Sequence, residues 1–180
     1  PVLALMAAVT GGLTAAPRLP RLLMSARPPA AASLDRYSVV TAKNSGVAVD
    51  VAFGGAFYAI VDAESVGLPV DAARLTELRQ TGMAIKHAVE SKLTVVHPAE
   101  PGLTGIYGTI FTGPPSVDSA DLRNVTIFAD HEVDRSPCGT GTCAVLAVLD
   151  AMGLVDPSRP FVHESIIGTS FSARVVSRSK

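Results

Sequence analysis

The stretch from Cys143 to Met152 is predicted to form a helix that is apolar on nearly every side, with Asp150 as its single charged residue. A helix without a polar face has to be buried rather than laid on a surface. Gly153 follows directly, and glycine is a common C-terminal cap. The rest of the chain therefore has to supply the elements that enclose this helix.

Short runs rich in β-branched and aromatic residues, bounded by glycine, proline or aspartate, predict strands around that helix. Gly54-Gly55 separates the first two runs, which favours a turn, a bulge or a close backbone approach. The predicted strands are Val47–Phe53, Phe57–Asp62 and residues 93–96, 105–111, 124–128, 161–167 and 171–176.

Residues 71–90 predict a second helix, with Asp71 in its first turn, where a negative charge suits the helix dipole. Two helices combined with short strands indicate the α+β class, with antiparallel strands wrapped around the buried helix. The apolar residues near one face of the second helix are Leu75, Leu78, Ile85 and Val89.

Composition excludes several classes of function. The chain has 180 residues, 48% hydrophobic and 17% charged, which indicates a packed globular protein. The net charge is −1 with no basic block, so we expect no nucleic-acid partner. The apolar run at residues 1–17 is broken by Gly11, Gly12 and Pro17. A membrane span needs roughly 20 apolar residues, so we expect no membrane span and no membrane partner.

The two cysteines, Cys138 and Cys143, lie five residues apart. A secreted domain built on disulfides would contain more cysteines, spread more widely. No further ligands are spaced suitably around them, so we expect no metal site. These observations indicate a reducing compartment, and we expect the cytoplasm.

Residues 1–37 are predicted to stand apart from a domain at residues 38–180. Prolines interrupt this Ala/Pro/Arg-rich segment, and no acidic residue precedes Asp35. Its arginines loosely resemble those of an organelle transit peptide. We expect a poorly specified remnant whose natural partner sequence is missing. The arginines are Arg18, Arg21, Arg27 and Arg36.

Cys138 lies in the turn that leads into the buried helix, and three features of that turn favour chemistry. A helix N-terminus has unpaired N–H groups and a partial positive charge, which favour a thiolate. Gly139 and Gly141 remove side-chain bulk, so a carboxylate could approach the N–H groups of Gly139, Thr140 and Gly141. The negative charge of Asp134 opposes a thiolate unless it pairs with a cation, such as a substrate ammonium.

A purely structural interpretation of these residues is also open. A cysteine at a helix start is commonly a small buried hydrophobe, and Gly-Thr-Gly is commonly a tight turn. Cys143 lies inside the apolar helix and is expected in the core. A cysteine hydrolase is disfavoured because no histidine forms a recognisable nucleophile–base signature with Cys138. We expect His131 and His163 at the surface or at a strand edge.

The sequence Asp-Arg-Ser-Pro-Cys-Gly-Thr-Gly-Thr at 134–142 resembles the second active-site motif of the proline racemase family, which includes hydroxyproline epimerases and trans-3-hydroxyproline dehydratases. Further segments resemble the family in the same order, so that the likeness covers roughly residues 46–176. These segments are residues 49–59, 106–111 and 163–169.

The resemblance implies a diaminopimelate-epimerase-like fold with a central helix inside a wrap of strands. It also implies catalysis without pyridoxal phosphate, metal or nucleotide, by two acid/base residues that face each other across the substrate α-carbon. Cys138 matches the second of these residues, and Asp134 matches the contact to the substrate amine. Gly139 with Thr140 matches the backbone that holds the carboxylate, and Phe128 matches an aromatic wall of the proline pocket.

The first half-site of the family, a Cys-Gly-His type motif in another domain, has no counterpart in this chain. We therefore expect one half-site of a proline racemase or 4-hydroxyproline epimerase, because Cys at 138 favours that branch. A trans-3-hydroxy-L-proline dehydratase and a catalytically inactive fragment remain as alternatives. The expected partner is a small cyclic amino acid, and the full-length form could be a homodimer.

Overall fold

The computed structural model describes residues 5–10, 36–39 and 46–178, with side chains from residue 46 to 177. These residues form one curled sheet and two helices, a mixed α/β fold. The helices are α1 (Leu75–Glu90) and α2 (Gly139–Ala151). The strands are β1 (Leu5–Thr10), β2 (Arg36–Val39), β3 (Val47–Phe53), β4 (Phe57–Asp62), β5 (Gly108–Gly113), β6 (Leu122–Phe128), β7 (Glu132–Asp134), β8 (Phe161–Ser165) and β9 (Ser170–Arg178).

The strand order is β1-β9-β8-β6-β5-β4-β3-β2, with β7 paired to β6 at the side. Most neighbours are antiparallel, as expected, but β4 pairs with β5 and β6 with β8 in parallel. The expectation of antiparallel strands is therefore wrong at these two positions. Parallel neighbours need a crossover connection, and here each crossover contains one of the two helices.

The two helices cover opposite faces of the sheet. Along β4, Ala59 and Val61 pack in the core beneath α1, whereas Tyr58 and Ile60 pack in the core beneath α2. This alternation follows from the two-residue period of a strand. Strand β4 is buried on both faces for that reason, and one of its faces points toward the start of α2.

Helix α2 is buried as the sequence predicts. It packs against β1, β3, β4 and β9, and no residue from Gly141 to Met152 is fully exposed. The predicted helix began at Cys143, but the observed helix begins one turn earlier, at Gly139. Gly153 has φ 71° and donates its N–H to the Asp150 carbonyl, which agrees with its predicted capping role.

Other predicted elements differ in their bounds. Asp71 caps a short 3-10 turn at Ala72–Arg74, and α1 begins after it. Residues 93–96 form no strand, since a single bridge joins Val96 to Thr104. Strand β1 falls inside the segment 1–37, and Arg36 begins β2. Arg18, Arg21 and Arg27 lie outside the described residues. Neither described helix is long and apolar enough to cross a membrane.

Candidate active site

Cys138 is the N-cap residue of α2, and its backbone is unusual. Its φ of 64° and ψ of 120° are rarely adopted by a residue with a side chain. Its sulfur accepts the N–H of Gly141 at 3.4 Å, and its carbonyl accepts the N–H of Thr142 at 2.8 Å. The side chain is 9% exposed. The helix start thus holds the sulfur beside a helix N–H group, at the positive end of the helix dipole.

Two hydroxyl groups also surround the sulfur. The Tyr58 hydroxyl lies 3.6 Å from Cys138 Sγ, and Thr140 Oγ1 lies 3.7 Å from it. The two hydroxyls are 2.6 Å apart and hydrogen-bonded to each other. Burial is the main cause that raises the pKa of Tyr58, so its hydroxyl keeps its proton. Tyr58 was not predicted as a site residue, because it lies 80 residues from Cys138 along the chain.

A buried network lies behind the cysteine turn. Thr142 Oγ1 donates to the Pro137 carbonyl at 3.2 Å, and Asn124 Nδ2 donates to the same carbonyl at 2.9 Å. Since the single Thr142 hydroxyl proton is used there, Thr142 accepts from His163 Nδ1 at 3.0 Å. This network fixes the peptide that precedes Cys138.

His163 was expected at the surface or at a strand edge, and this expectation is wrong. His163 is fully buried on β8, an interior strand between β6 and β9. Burial lowers its pKa to about 3, so the ring is neutral. Its Nε2 atom has no hydrogen-bond partner among the described residues. His131 is exposed, as expected.

Asp134 ends β7, where it lies opposite Thr126 of β6. Its Oδ1 accepts both the N–H and the hydroxyl of Ser136, each at 2.8 Å. Ser136 Oγ in turn accepts the N–H of Cys138 at 3.2 Å. Asp134 is thereby tied to the cysteine turn through Ser136, and it is half-buried.

The first turn of α2 is open in front of the sulfur. Gly139 and Thr140 are exposed, and a Cβ atom added to Gly139 would meet nothing within 4 Å. The first N–H groups of a helix have no acceptor inside the helix. This turn can therefore accept an anion such as a carboxylate.

An aromatic row extends from the site. Phe128 of β6 stacks on Tyr107, with ring centroids 5.6 Å apart and planes 12° apart. The Tyr107 ring meets the Tyr58 ring edge-on at 5.7 Å and is 50% exposed. Two tyrosines thus connect Phe128 with Cys138 Sγ, and neither was predicted as a site residue.

The hairpin between β3 and β4 packs directly on the first turn of α2. A Cβ atom on Gly54 would lie 2.2 Å from the Thr140 carbonyl oxygen and 2.4 Å from the Ala144 nitrogen. Gly55 has φ 117°, which favours glycine, and a Cβ there would lie 2.7 Å from Thr140 Cγ2. The close approach predicted at Gly54-Gly55 is confirmed, and its partner is the start of α2.

The second cysteine differs from expectation in its burial. Cys143 is half-buried rather than fully in the core, and both cysteines are free thiols. Burial raises the pKa of the Cys143 thiol, and the nearby Cys138 adds to that rise. No histidine in the described part hydrogen-bonds Cys138 Sγ, and no group of three or more metal-binding side chains occurs there.

Comparisons with known proteins identify relatives of this chain. The chain is 54% identical over 129 residues to the trans-3-hydroxy-L-proline dehydratase of Bacillus cereus. The aligned residues cover 72% of this chain and 39% of that protein. It is 39% identical over 134 residues to proline racemase A of Trypanosoma cruzi, covering 74% of this chain and 32% of that protein. The chain thus spans less than half the length of these curated relatives.

A solved structure also resembles the fold. It is a hydroxyproline epimerase from Agrobacterium vitis with bound trans-4-hydroxy-L-proline, and it is 30% identical to this chain. The superposition has a TM-score of 0.71 and covers 80% of this chain and 48% of the epimerase. The sequence model described as proline racemase matches residues 26–180. The chain belongs to the proline racemase family.

Proposed function

We propose that Cys138 removes the α-proton of a cyclic amino acid of the proline type, and that this chain supplies one of two half-sites. The observation that carries this proposal is the hydrogen bond from the Gly141 N–H to Cys138 Sγ, at 3.4 Å, beside an open helix N-terminus. A thiolate at that point would be a base next to a carboxylate site. An α-amino acid carries its acidic proton one carbon from its carboxylate.

The N–H groups of Gly139 and Thr140 are proposed to hold the substrate carboxylate. They belong to the exposed first turn of α2, where the helix dipole favours an anion. Donors at this place would also stabilise the negative charge that moves onto the carboxylate when the proton leaves. The same contacts would therefore serve both binding and the reaction.

Asp134 is proposed to bind the substrate ammonium. The Oδ1 atom of Asp134 already accepts two hydrogen bonds from Ser136, so the ammonium would bind through Oδ2 of Asp134. Phe128, stacked on the half-exposed Tyr107, would give an apolar wall for the pyrrolidine ring. With the carboxylate on α2, these contacts would fix three points of a cyclic amino acid.

The proposed reaction begins when the α-carbon–hydrogen bond breaks and the proton passes to Cys138 Sγ. The electron pair left on the α-carbon is delocalised into the carboxylate, where the N–H groups of α2 would stabilise it. The proposed step therefore uses no cofactor. Return of a proton to the opposite face by the second half-site gives epimerisation. Expulsion of a 3-hydroxyl group by the same electron pair, with the proton passed from Cys138 Sγ to the leaving oxygen, gives dehydration with release of water.

Two reactions are therefore candidates for the full-length protein. The 54% identity with the Bacillus cereus dehydratase favours dehydration of trans-3-hydroxy-L-proline, which is our first candidate. Cysteine at position 138, together with the similarity to the racemase and epimerase, favours racemisation or epimerisation as the second. Both use the same proton removal by Cys138.

The full-length protein is proposed to have a diaminopimelate-epimerase-like arrangement, in which residues 38–180 form the second domain around α2. Another domain would supply the second acid/base residue. Two free cysteines and no shared disulfide support a cytoplasmic location. A homodimer of the full-length form is part of the same proposal.

The test is a chimera in which this chain replaces the matching segment of the Bacillus cereus relative. The chimera is incubated in heavy water with trans-3-hydroxy-L-proline, trans-4-hydroxy-L-proline and L-proline, and α-proton exchange and products are followed by NMR. We expect exchange that disappears with Cys138→Ser and persists with Cys143→Ser. A folded chimera without exchange on all three substrates would refute the proposal.

A second chimera, built on Trypanosoma cruzi proline racemase A, separates the two candidate reactions. The first chimera takes its other half-site from a dehydratase, and the second takes it from a racemase. If both chimeras release water from trans-3-hydroxy-L-proline, this chain favours dehydration. If both invert the α-carbon, it favours epimerisation.

A further inference from the structure

Tyr58 combines burial, rigidity and contact with the reactive sulfur. It is 1% exposed and lies on the face of β4 that packs against α2. Tyr107 meets its ring edge-on at 5.7 Å, so the ring is held from the side. Its hydroxyl lies 3.6 Å from Cys138 Sγ and 2.6 Å from Thr140 Oγ1. The hydroxyl is therefore fixed beside the sulfur by packing.

The ionic state of the sulfur determines how the hydroxyl protons are arranged. A thiolate has no proton and can only accept hydrogen bonds. The Tyr58 and Thr140 hydroxyls carry one proton each and are bonded to each other. One of them therefore donates to the other, and the second is free to donate to the thiolate.

Tyr58 is the better placed of the two to donate to the sulfur. A phenol is a stronger acid than an alcohol, and hydrogen bonds to an ionised acceptor strengthen with the acidity of the donor. Thr140 is exposed, so its hydroxyl has water and substrate as alternative partners, whereas Tyr58 is buried. The arrangement that results is Thr140 to Tyr58, and Tyr58 to Cys138.

We propose that Tyr58 is a positioning residue that donates its hydroxyl proton to the Cys138 thiolate, stabilising the thiolate and holding Sγ toward the open turn of α2. Nothing about the hydrogen bond itself depends on the substrate, and only its use in proton removal rests on the proposed function. Tyr58 thus adds a strand-borne donor to the helix N–H of Gly141, which contacts the sulfur at 3.4 Å.

Other titratable groups surround the sulfur and have to be held constant in a test. Asp134 is linked to Cys138 through Ser136, and Cys143 lies on the first turns of α2. Tyr107 contacts Tyr58, and His163 lies behind the turn, bonded to Thr142. Replacing Tyr58 by phenylalanine leaves all of these groups in place and removes one oxygen atom.

The experiment measures the rate of Cys138 alkylation by iodoacetamide from pH 5 to 11, in this chain carrying Cys143→Ala. Only the thiolate reacts, so the pH midpoint of the rate reports thiolate stability. We expect Tyr58→Phe to raise the midpoint by about one pH unit, a roughly tenfold slower reaction below the midpoint. Thr109→Val, which removes a buried hydroxyl bonded to the Gly82 carbonyl of α1 on the other face of the sheet, is the control and should leave the midpoint in place.

Two outcomes would overturn the proposal. The first is an unchanged midpoint in folded Tyr58→Phe. The second is a rise with Thr140→Val in the absence of a rise with Tyr58→Phe, because Thr140 would then be the donor. Turnover by the chimera is a separate readout, so a midpoint shift with no turnover would refute the proposed function and leave the hydrogen bond intact.

A second measurement covers the case in which Tyr58→Phe does not fold. Site-specific incorporation of difluorotyrosine at position 58 alone makes the phenol a stronger donor with little change in size. The proposal then requires a lower alkylation midpoint, and an unchanged or higher midpoint contradicts it. Folding of every sample is followed by circular dichroism and urea unfolding.

Discussion

Cys138 caps α2 with its own sulfur, a role that usually falls to a side-chain oxygen of Ser, Thr, Asp or Asn. A thiol is a weak hydrogen-bond acceptor, whereas a thiolate is a strong one. The Gly141 N–H therefore binds the sulfur more tightly after the proton leaves. The backbone strain at φ 64° is of the kind that active sites retain when the surroundings hold it in place.

Cys138→Ser separates capping from catalysis. Serine is a better N-cap than cysteine, so we expect the free energy of unfolding, measured with urea, to change by less than about 1 kcal/mol. A hydroxyl is a far weaker base than a thiol, so turnover of the chimera should fall by at least about 100-fold. Activity close to that of the parent would refute the assignment of Cys138 as the base.

Asp134→Asn tests the proposed ammonium contact without disturbing the turn. Asparagine keeps an oxygen that can accept from Ser136, so the local hydrogen bonds at 2.8 Å can persist. Loss of the negative charge should raise KM of the chimera about tenfold or more, with a smaller effect on kcat. Asp130→Asn, at an exposed site in the turn after β6, is the control. An unchanged KM in Asp134→Asn would contradict the contact.

The burial of His163 predicts that the stability of the folded chain depends on pH. Its pKa is about 3 in the folded chain against about 6.5 when unfolded, so below pH 6.5 the unfolded state binds a proton that the folded state excludes. The stabilisation is complete above pH 6.5 and is lost progressively as the pH falls toward 3. We expect the free energy of unfolding to be about 2 kcal/mol lower at pH 5 than at pH 7.5.

Asparagine at position 163 provides the matching test, because its amide can replace Nδ1 as the donor to Thr142 but cannot titrate. Urea unfolding of His163→Asn should show little change between pH 7.5 and pH 5. His131→Asn, at an exposed site, should keep the parent pH dependence. An equal pH dependence in His163→Asn would show that other groups cause it.

At the scale of elements, the β3–β4 hairpin and the start of α2 form one unit. Gly54→Ala would place a methyl group 2.2 Å from the Thr140 carbonyl and 2.4 Å from the Ala144 nitrogen, both backbone atoms that cannot move aside cheaply. We expect a loss of about 3 kcal/mol in the free energy of unfolding. Gly102→Ala, where an added Cβ meets nothing within 4 Å, should change it by under about 0.5 kcal/mol.

The same unit gives a second readout of the contact. The hairpin packs on the first turn of α2, so the methyl group of Gly54→Ala should displace the hairpin from that turn. We expect this displacement to change the alkylation rate of Cys138 as well. Losses of stability of equal size in Gly54→Ala and Gly102→Ala would mean that the hairpin does not constrain the helix start.

At the scale of the whole molecule, the elements with a strong periodic pattern could be predicted from the sequence. Strands β3 and β4 have the predicted bounds, because β-branched residues alternate along β3 and the glycines at 54 and 55 separate the two apolar runs. The earlier start of α2 was missed, since Gly and Thr have low helix propensity and the Cys138 cap supplies the start. The parallel pairing of β4 with β5 depends on a distant strand, which a local pattern does not encode.

The candidate site likewise contains residues that could be predicted from the sequence and residues that could not. Cys138, Asp134, Gly139 and Thr140 are close in sequence, and their shared turn could be predicted from the motif. Tyr58 and His163 reach that turn only through the sheet, across 80 and 21 residues of chain. A lone tyrosine or histidine within a strand has no pattern that reveals such a contact, so both were missed.

The chain spans 39% of the Bacillus cereus relative, and its described residues place a single thiol, Cys138, beside the open turn of α2. One base can remove an α-proton and return a deuteron to the same face, but inversion needs a second acid on the opposite face. We therefore expect the chain alone to invert L-proline at least about 100-fold more slowly than the chimeras, as measured by chiral chromatography. Inversion by the chain at the rate of the chimeras would contradict the single half-site, and a dimer pairing two Cys138 residues would then be tested by sedimentation.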